Sequence, residues 1–139
     1  MASDTKGYSG SCLCGAVRYE VRGPLSAPHA CHCGQCRRQS GHYVVATEAA
    51  RDDFALTEAR GLKWYHSSAL ARRGFCADCG SALFWDDGGA AVSINVGSLD
   101  QPTGLALKKH IFVDGKADYY EIDDRLPKFA GPDRPLDPA

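Results

Sequence analysis

Seven cysteines fall into three tight clusters: Cys12-x-Cys14, Cys31-x-Cys33-x-x-Cys36 and Cys76-x-x-Cys79. Cysteines this close give strained disulfides, and an odd total leaves one thiol over. Thiolates one or two residues apart can instead converge on one tetrahedral zinc, at Zn–S distances of roughly 2.3 Å. Four plus three is the natural partition. Cys12 and Cys14, clamped with Cys76 and Cys79 on one ion, make a closed site with a structural role. Cys31, Cys33 and Cys36 supply three sulfurs, which leaves a fourth corner for water, for a histidine or for a thiol from outside. His29, His32 and His42 lie nearby. His32, between two ligands in an extended stretch, should point away from the metal. A closed site of three cysteines with His29 or His42, or a thiolate-bridged dinuclear cluster, stays open as an alternative.

The elements that hold these residues are short. Ala16–Val21 alternates as a strand and stops at Gly23-Pro24. Strands are also expected at Tyr43–Ala46, Gly61–Tyr65, Leu83–Trp85, Ala91–Val96 and Ile111–Val113, with turns at Asp86-Asp87-Gly88-Gly89 and Asp114-Gly115. Cys12 and Cys14 share a target if their stretch is extended. Cys76-Ala77-Asp78-Cys79-Gly80 reads as a knuckle, its glycine relieving a left-handed backbone. Gln35–Gln39 has room for one helical turn. The fold class expected is mainly β, built of short antiparallel sheets stapled by zinc. Residues 1–130 form one domain, and 131–139 a proline-rich tail.

Composition narrows the function. A formal charge of −1 with no basic tail argues against nucleic acid and acidic lipid. No stretch reaches the roughly 20 apolar residues of a membrane span, and the first residues lack a secretion signal. A cytoplasmic setting with reduced thiols is expected. Short β domains with exposed edges often pair, so a homodimer is in view. Arg72-Arg73 and Lys108-Lys109 read as exposed pairs, and Tyr19, Phe75, Phe84, Trp85 and Phe112 as core.

The string Gly10-Ser11-Cys12-Leu13-Cys14-Gly15-Ala16-Val17-Arg18-Tyr19 resembles the opening of the glutathione-dependent formaldehyde-activating enzyme (GFA)/CENP-V family. Residues 31–41 and 75–84 resemble its second and third signatures, and the likeness continues through His110-Ile111-Phe112 and Asp124–Phe129. The resemblance implies a β-tent fold with two zinc ions per chain. Cys12, Cys14, Cys76 and Cys79 would hold the structural ion, and Cys31, Cys33 and Cys36 the catalytic one. It also implies a carbon–sulfur lyase that adds glutathione to formaldehyde, giving S-hydroxymethylglutathione. A tryptophan frequent in the family after the His-Ile-Phe segment is replaced here by Tyr119 and Tyr120, which points to an altered substrate pocket. The missing basic extension disfavours the chromatin role of the CENP-V branch.

A zinc with three thiolates carries a net charge of about −1 and suits another thiol better than water. No electrons move in such an addition, so neither nicotinamide nor flavin is implied. The alkoxide formed needs a proton, for which His110 is the first candidate. Arg37 and Arg38 directly follow the third ligand and can pair with glutathione's carboxylates or offset the anionic centre; the plainer reading is two solvated arginines. Two other functions fit the same residues: a glutathione carrier without rate effect, and a zinc-stabilised module that binds a protein partner.

Overall fold

The computed structural model describes residues 7–132, with ten strands and one short α-helix among them. In chain order these are β1 (Tyr8–Ser11), β2 (Arg18–Val21), β3 (His29–Cys31), α1 (Gly34–Ser40), β4 (Val44–Ala50), β5 (Phe54–Glu58), β6 (Leu62–His66), β7 (Arg72–Cys76), β8 (Ala82–Asp86), β9 (Ala91–Asn95) and β10 (Lys109–Ile111). A three-stranded sheet runs β1-β2-β5, and a seven-stranded sheet runs β10-β3-β4-β9-β8-β7-β6. The mainly β expectation is met, with one correction: β10 pairs with β3 in parallel, although every other neighbour is antiparallel. A parallel pair needs a long crossover, and the chain between β3 and β10 is most of the domain.

β2 shows why the two sheets meet. Tyr19 and Val21 are buried while Arg18 is exposed and Glu20 half-buried, so one face of the strand is apolar. That face, with Val17, packs on Ala49, Leu83, Phe84, Val92 and Ile94 of the larger sheet. The Tyr19 and Phe84 rings meet edge to face with centroids 5.3 Å apart, and Phe54 joins Phe84 at 5.2 Å. Phe75, Trp85 and Phe112 are half-buried rather than core. β4 is buried on both sides because Thr47 and Ala49 face this core while Val44 and Ala46 pack beside Cys31 and Cys36.

The expected strand at Ile111–Val113 stops at Ile111. Phe112 takes a left-handed conformation (φ 55°) and donates its N–H to the Gly131 carbonyl, and a 3-10 turn follows at Val113–Gly115. Gly131 is therefore bonded into the domain, and the rest of the expected tail, 133–139, lies outside the described residues. Arg72 is also not simply exposed. It stacks on Trp64, its Cζ 3.9 Å from the ring centroid, and with Arg51 it clamps the buried Asp86.

Candidate metal centres

The first centre joins the two sheets. Cys12 and Cys14 follow β1, and Cys76 and Cys79 bracket the turn from β7 to β8. All four sulfurs lie within 4.8 Å of one another, with Cys12 to Cys14 and Cys14 to Cys76 both at 3.8 Å. A tetrahedron with Zn–S bonds of roughly 2.3 Å has S–S edges of about 3.8 Å, so the donor set fits zinc. The local backbone is built for it. Gly80 sits at φ 82° and returns its N–H to the Cys76 carbonyl at 2.8 Å. Cys12–Gly15 is a turn rather than the extended stretch expected, closed by Gly15 N–H to the Cys12 carbonyl, with Gly15 at φ 85°. The Val17 N–H donates to Cys12 Sγ at 3.2 Å, and the Ser81 hydroxyl lies 3.3 Å from Cys79 Sγ. Hydrogen bonds to Ser81 hold the Cys79 thiol down at about 5, which favours the thiolate a metal needs.

The second centre joins the end of β3 to the start of α1. Cys31, Cys33 and Cys36 place their sulfurs within 4.8 Å of one another, and no histidine or carboxylate among the described residues joins that group. The two cysteine groups are separate, so the dinuclear alternative is not seen. Cys33 is the N-cap of α1, and its sulfur accepts the Cys36 N–H at 3.3 Å. Capping and ligation therefore set the same rotamer. The cluster concentrates negative charge on one sulfur: the thiols of Cys31 and Cys36 pull the Cys33 value down, and Cys33 pushes that of Cys31 up. Three sulfurs at this spacing are a donor set for zinc, with a fourth corner that no described residue fills.

His32 points away from this group, as expected, into a row of hydrogen bonds whose two histidines are buried. Asp124 accepts from His110 Nε2–H at 2.8 Å. That leaves His110 Nδ1 to accept from His32 Nε2–H at 2.9 Å, and His32 Nδ1 to accept from the Tyr120 hydroxyl. Burial, helped by the nearby His110, pushes His32 down to about 4 and keeps it neutral. The His110 hydrogen bond holds Asp124 at about 2. His110 is thus 3% exposed with both ring nitrogens engaged. It is joined to Tyr120 through His32 and directly to the exposed Asp124. His42 is not part of the cysteine group; its Nδ1 lies 2.9 Å from the Tyr119 hydroxyl. Tyr119 and Tyr120 close an aromatic wall with His42 and Tyr43.

Arg37 and Arg38 occupy the last turn of α1, half-buried and exposed respectively. Burial, with Tyr119 and Tyr43 beside it, raises the Tyr120 phenol, and the Arg37 charge offsets this only in part. The arginine beside the cysteines is a different one. Arg73, expected to be exposed, is 7% exposed, and its Nη1 lies 3.8 Å from Cys36 Sγ. Its Nη2 donates to Gln35 Oε1 at 3.1 Å. The correction has a simple cause: β7 alternates, so Arg72 and Arg73 leave opposite faces of the sheet.

A profile of glutathione-dependent formaldehyde-activating enzymes matches residues 7–115. The chain belongs to this family. Within the family's reach it is similar to an uncharacterized lyase of Schizosaccharomyces pombe, 25% identical over 124 residues, covering 88% of this chain and 90% of that one. It is also similar to a putative glutathione-dependent formaldehyde-activating enzyme of Halomonas elongata, 28% identical over 130 residues, covering 84% and 81%. A crystal structure of a Rhodobacter sphaeroides protein superposes with a TM-score of 0.58 at 28% identity, covering 69% of this chain and 91% of that one. No helix among the described residues is long and apolar enough to cross a membrane.

Proposed function

We propose that this family member is a zinc-dependent carbon–sulfur lyase of the S-(hydroxymethyl)glutathione synthase type. It takes glutathione or a similar thiol at the Cys31/Cys33/Cys36 centre and joins it to formaldehyde or another small aldehyde. The observation that carries this reading is a compact three-sulfur group to which the described residues add no fourth donor. A zinc ion there would draw the proton from an incoming thiol near neutral pH. The thiol sulfur then bonds to the aldehyde carbon, the C=O π pair moves to oxygen, and that oxygen takes the proton the thiol lost. No oxidant or reductant enters.

The chain's own residues would bind, orient and supply that proton. Arg37 and Arg38, at the basic end of α1, offer guanidinium forks to the carboxylates of glutathione. An open groove of about 540 Å³, lined in part by Cys12, Ser40, Tyr43, Val44 and Ser98, borders the first centre through Cys12 and comes to the second only through Val44, which packs on its cysteine cluster. Its size is ordinary for a small-molecule site. Tyr120 ends the hydrogen-bonded row on the side of the aromatic wall, and His110 positions its hydroxyl through His32. A cytoplasmic setting, with its glutathione pool, suits the reaction.

Exchange NMR with carbon-13 formaldehyde and glutathione tests this. Zinc-loaded protein should accelerate exchange between free aldehyde and adduct in proportion to its concentration, and Cys36→Ser should not. Saturable glutathione binding without acceleration would make the protein a carrier. Neither effect would leave the partner-binding module.

A further inference from the structure

A buried guanidinium needs an anionic partner. Arg73 is 7% exposed, yet no carboxylate among the described residues lies within ion-pair distance of it. Its Nε is buried without a hydrogen-bond partner. Its Nη1 and Nη2 stand 3.8 and 3.9 Å from Cys36 Sγ, and Gln35 Oε1 anchors Nη2 from the other side at 3.1 Å. Gln35 and Cys36 are adjacent on α1, while Arg73 reaches them from β7, paired with Trp85 and Tyr65 in the sheet register. The fork is thus aimed at a sulfur from a strand that carries none of the three cysteines.

We propose that Arg73 is the counter-ion of the Cys31/Cys33/Cys36 centre and the positioning residue that makes its open corner select an external thiolate. The inference rests on the reading of that centre as an open zinc site. A metal with three thiolates has a net charge of about −1, and a fourth thiolate makes it about −2. A guanidinium held against Cys36 offsets that added charge in a poorly solvated place, where it counts most. It also sets an order among the sulfurs. Charge-assisted donation to Cys36 draws electron density from that sulfur and lowers its reactivity, so the external sulfur meets the aldehyde. Partners of ligands act in this way at other metal sites, and losing one commonly costs about 10–100-fold in affinity or activity.

Arg73→Met removes charge and fork, Arg73→Lys keeps the charge and loses the fork, and Gln35→Ala releases the anchor at an exposed position. Two readouts are taken on metal-loaded protein with two ions per chain verified. One is the glutathione concentration that half-saturates sulfur-to-cobalt charge transfer in the cobalt-substituted protein. The other is the rate at which iodoacetamide alkylates Cys36 in the zinc protein, followed by peptide mass spectrometry. Glutathione affinity should fall by about 10–100-fold in Arg73→Met and less in Arg73→Lys. Cys36 alkylation should accelerate in both, and more weakly in Gln35→Ala. A purely structural arginine would change neither readout in a variant that keeps its metals. Unchanged affinity and alkylation in Arg73→Lys and Gln35→Ala therefore overturn the proposal, even where Arg73→Met does not fold. Failure of glutathione to bind the unaltered protein would sink the proposed function instead, and the alkylation rates would still decide the role of Arg73.

Discussion

Cys79→Ser and Cys36→Ser remove one ligand each from centres of the same chemistry, yet their effects on stability should differ about twofold. The reason is what each centre ties together. Cys14 and Cys76 are 62 residues apart, and their ion would fasten the β1–β2 hairpin to the β7–β8 turn of the other sheet. Cys31 to Cys36 lie within one short stretch that β3 and α1 already fix. A cross-link over about 60 residues takes roughly 4 kcal/mol of closure entropy from the unfolded chain, and one over about five residues roughly 2. Set against a typical domain stability of about 5–15 kcal/mol, the first loss is large. It corresponds to a fall in melting temperature on the order of 15 °C for Cys79→Ser, and about half of that or less for Cys36→Ser. The assay is thermal unfolding by circular dichroism in zinc-free buffer, on proteins whose metal content has been counted by plasma mass spectrometry. Cys36→Ser should keep one ion and its fold but lose glutathione binding. Equal falls in melting temperature, with one ion lost from each variant, would refute the division into a structural and an open centre.

Three further outcomes follow from other parts of the molecule. Burial raises the Asp86 carboxyl, but Arg51, the Gly88 N–H and Arg72 more than offset this and hold it at about 2. Its stabilisation is therefore complete above the unfolded value of about 3.9 and fades as pH falls toward about 2. Asp86→Asn should cost about 1–3 kcal/mol at neutral pH and flatten that acid slope in circular-dichroism melts; parallel slopes would count against the clamp. A Cβ at Gly10 would lie 2.3 Å from Tyr19 Oη and 2.5 Å from the Ser98 carbonyl, so Gly10→Ala should lose about 1–3 kcal/mol in urea unfolding. Gly34→Ala, with nothing within 4 Å, is its control and should change little. Tyr120→Phe should slow aldehyde addition roughly tenfold or more while leaving zinc content and glutathione affinity intact; a matching loss of affinity would make Tyr120 a binding residue.

The parts legible in the sequence are those whose physics is local. Ligand spacing within each cluster, the glycine at position 80 and the alternation of β2 are decided by neighbours in the chain, and all are found as expected. β3 is three residues long and contains a histidine and a cysteine, so no periodicity could mark it. β7 begins Arg-Arg-Gly, which reads as a polar loop because the partner that buries Arg73 is a sulfur 37 residues away. His32 and His110 are 78 residues apart and meet only because β10 pairs in parallel with β3. That pairing has no signal in either strand alone. The same contrast separates the ligands from the groups that tune them. Four or three thiolates can be placed by two turns and a helix cap, and those devices are written in consecutive residues. The charge and hydrogen bonds around the three-cysteine group are delivered by sheet register, so a change in the β3–β10 pairing would leave that local group of sulfurs in place and take away the histidine row beside it.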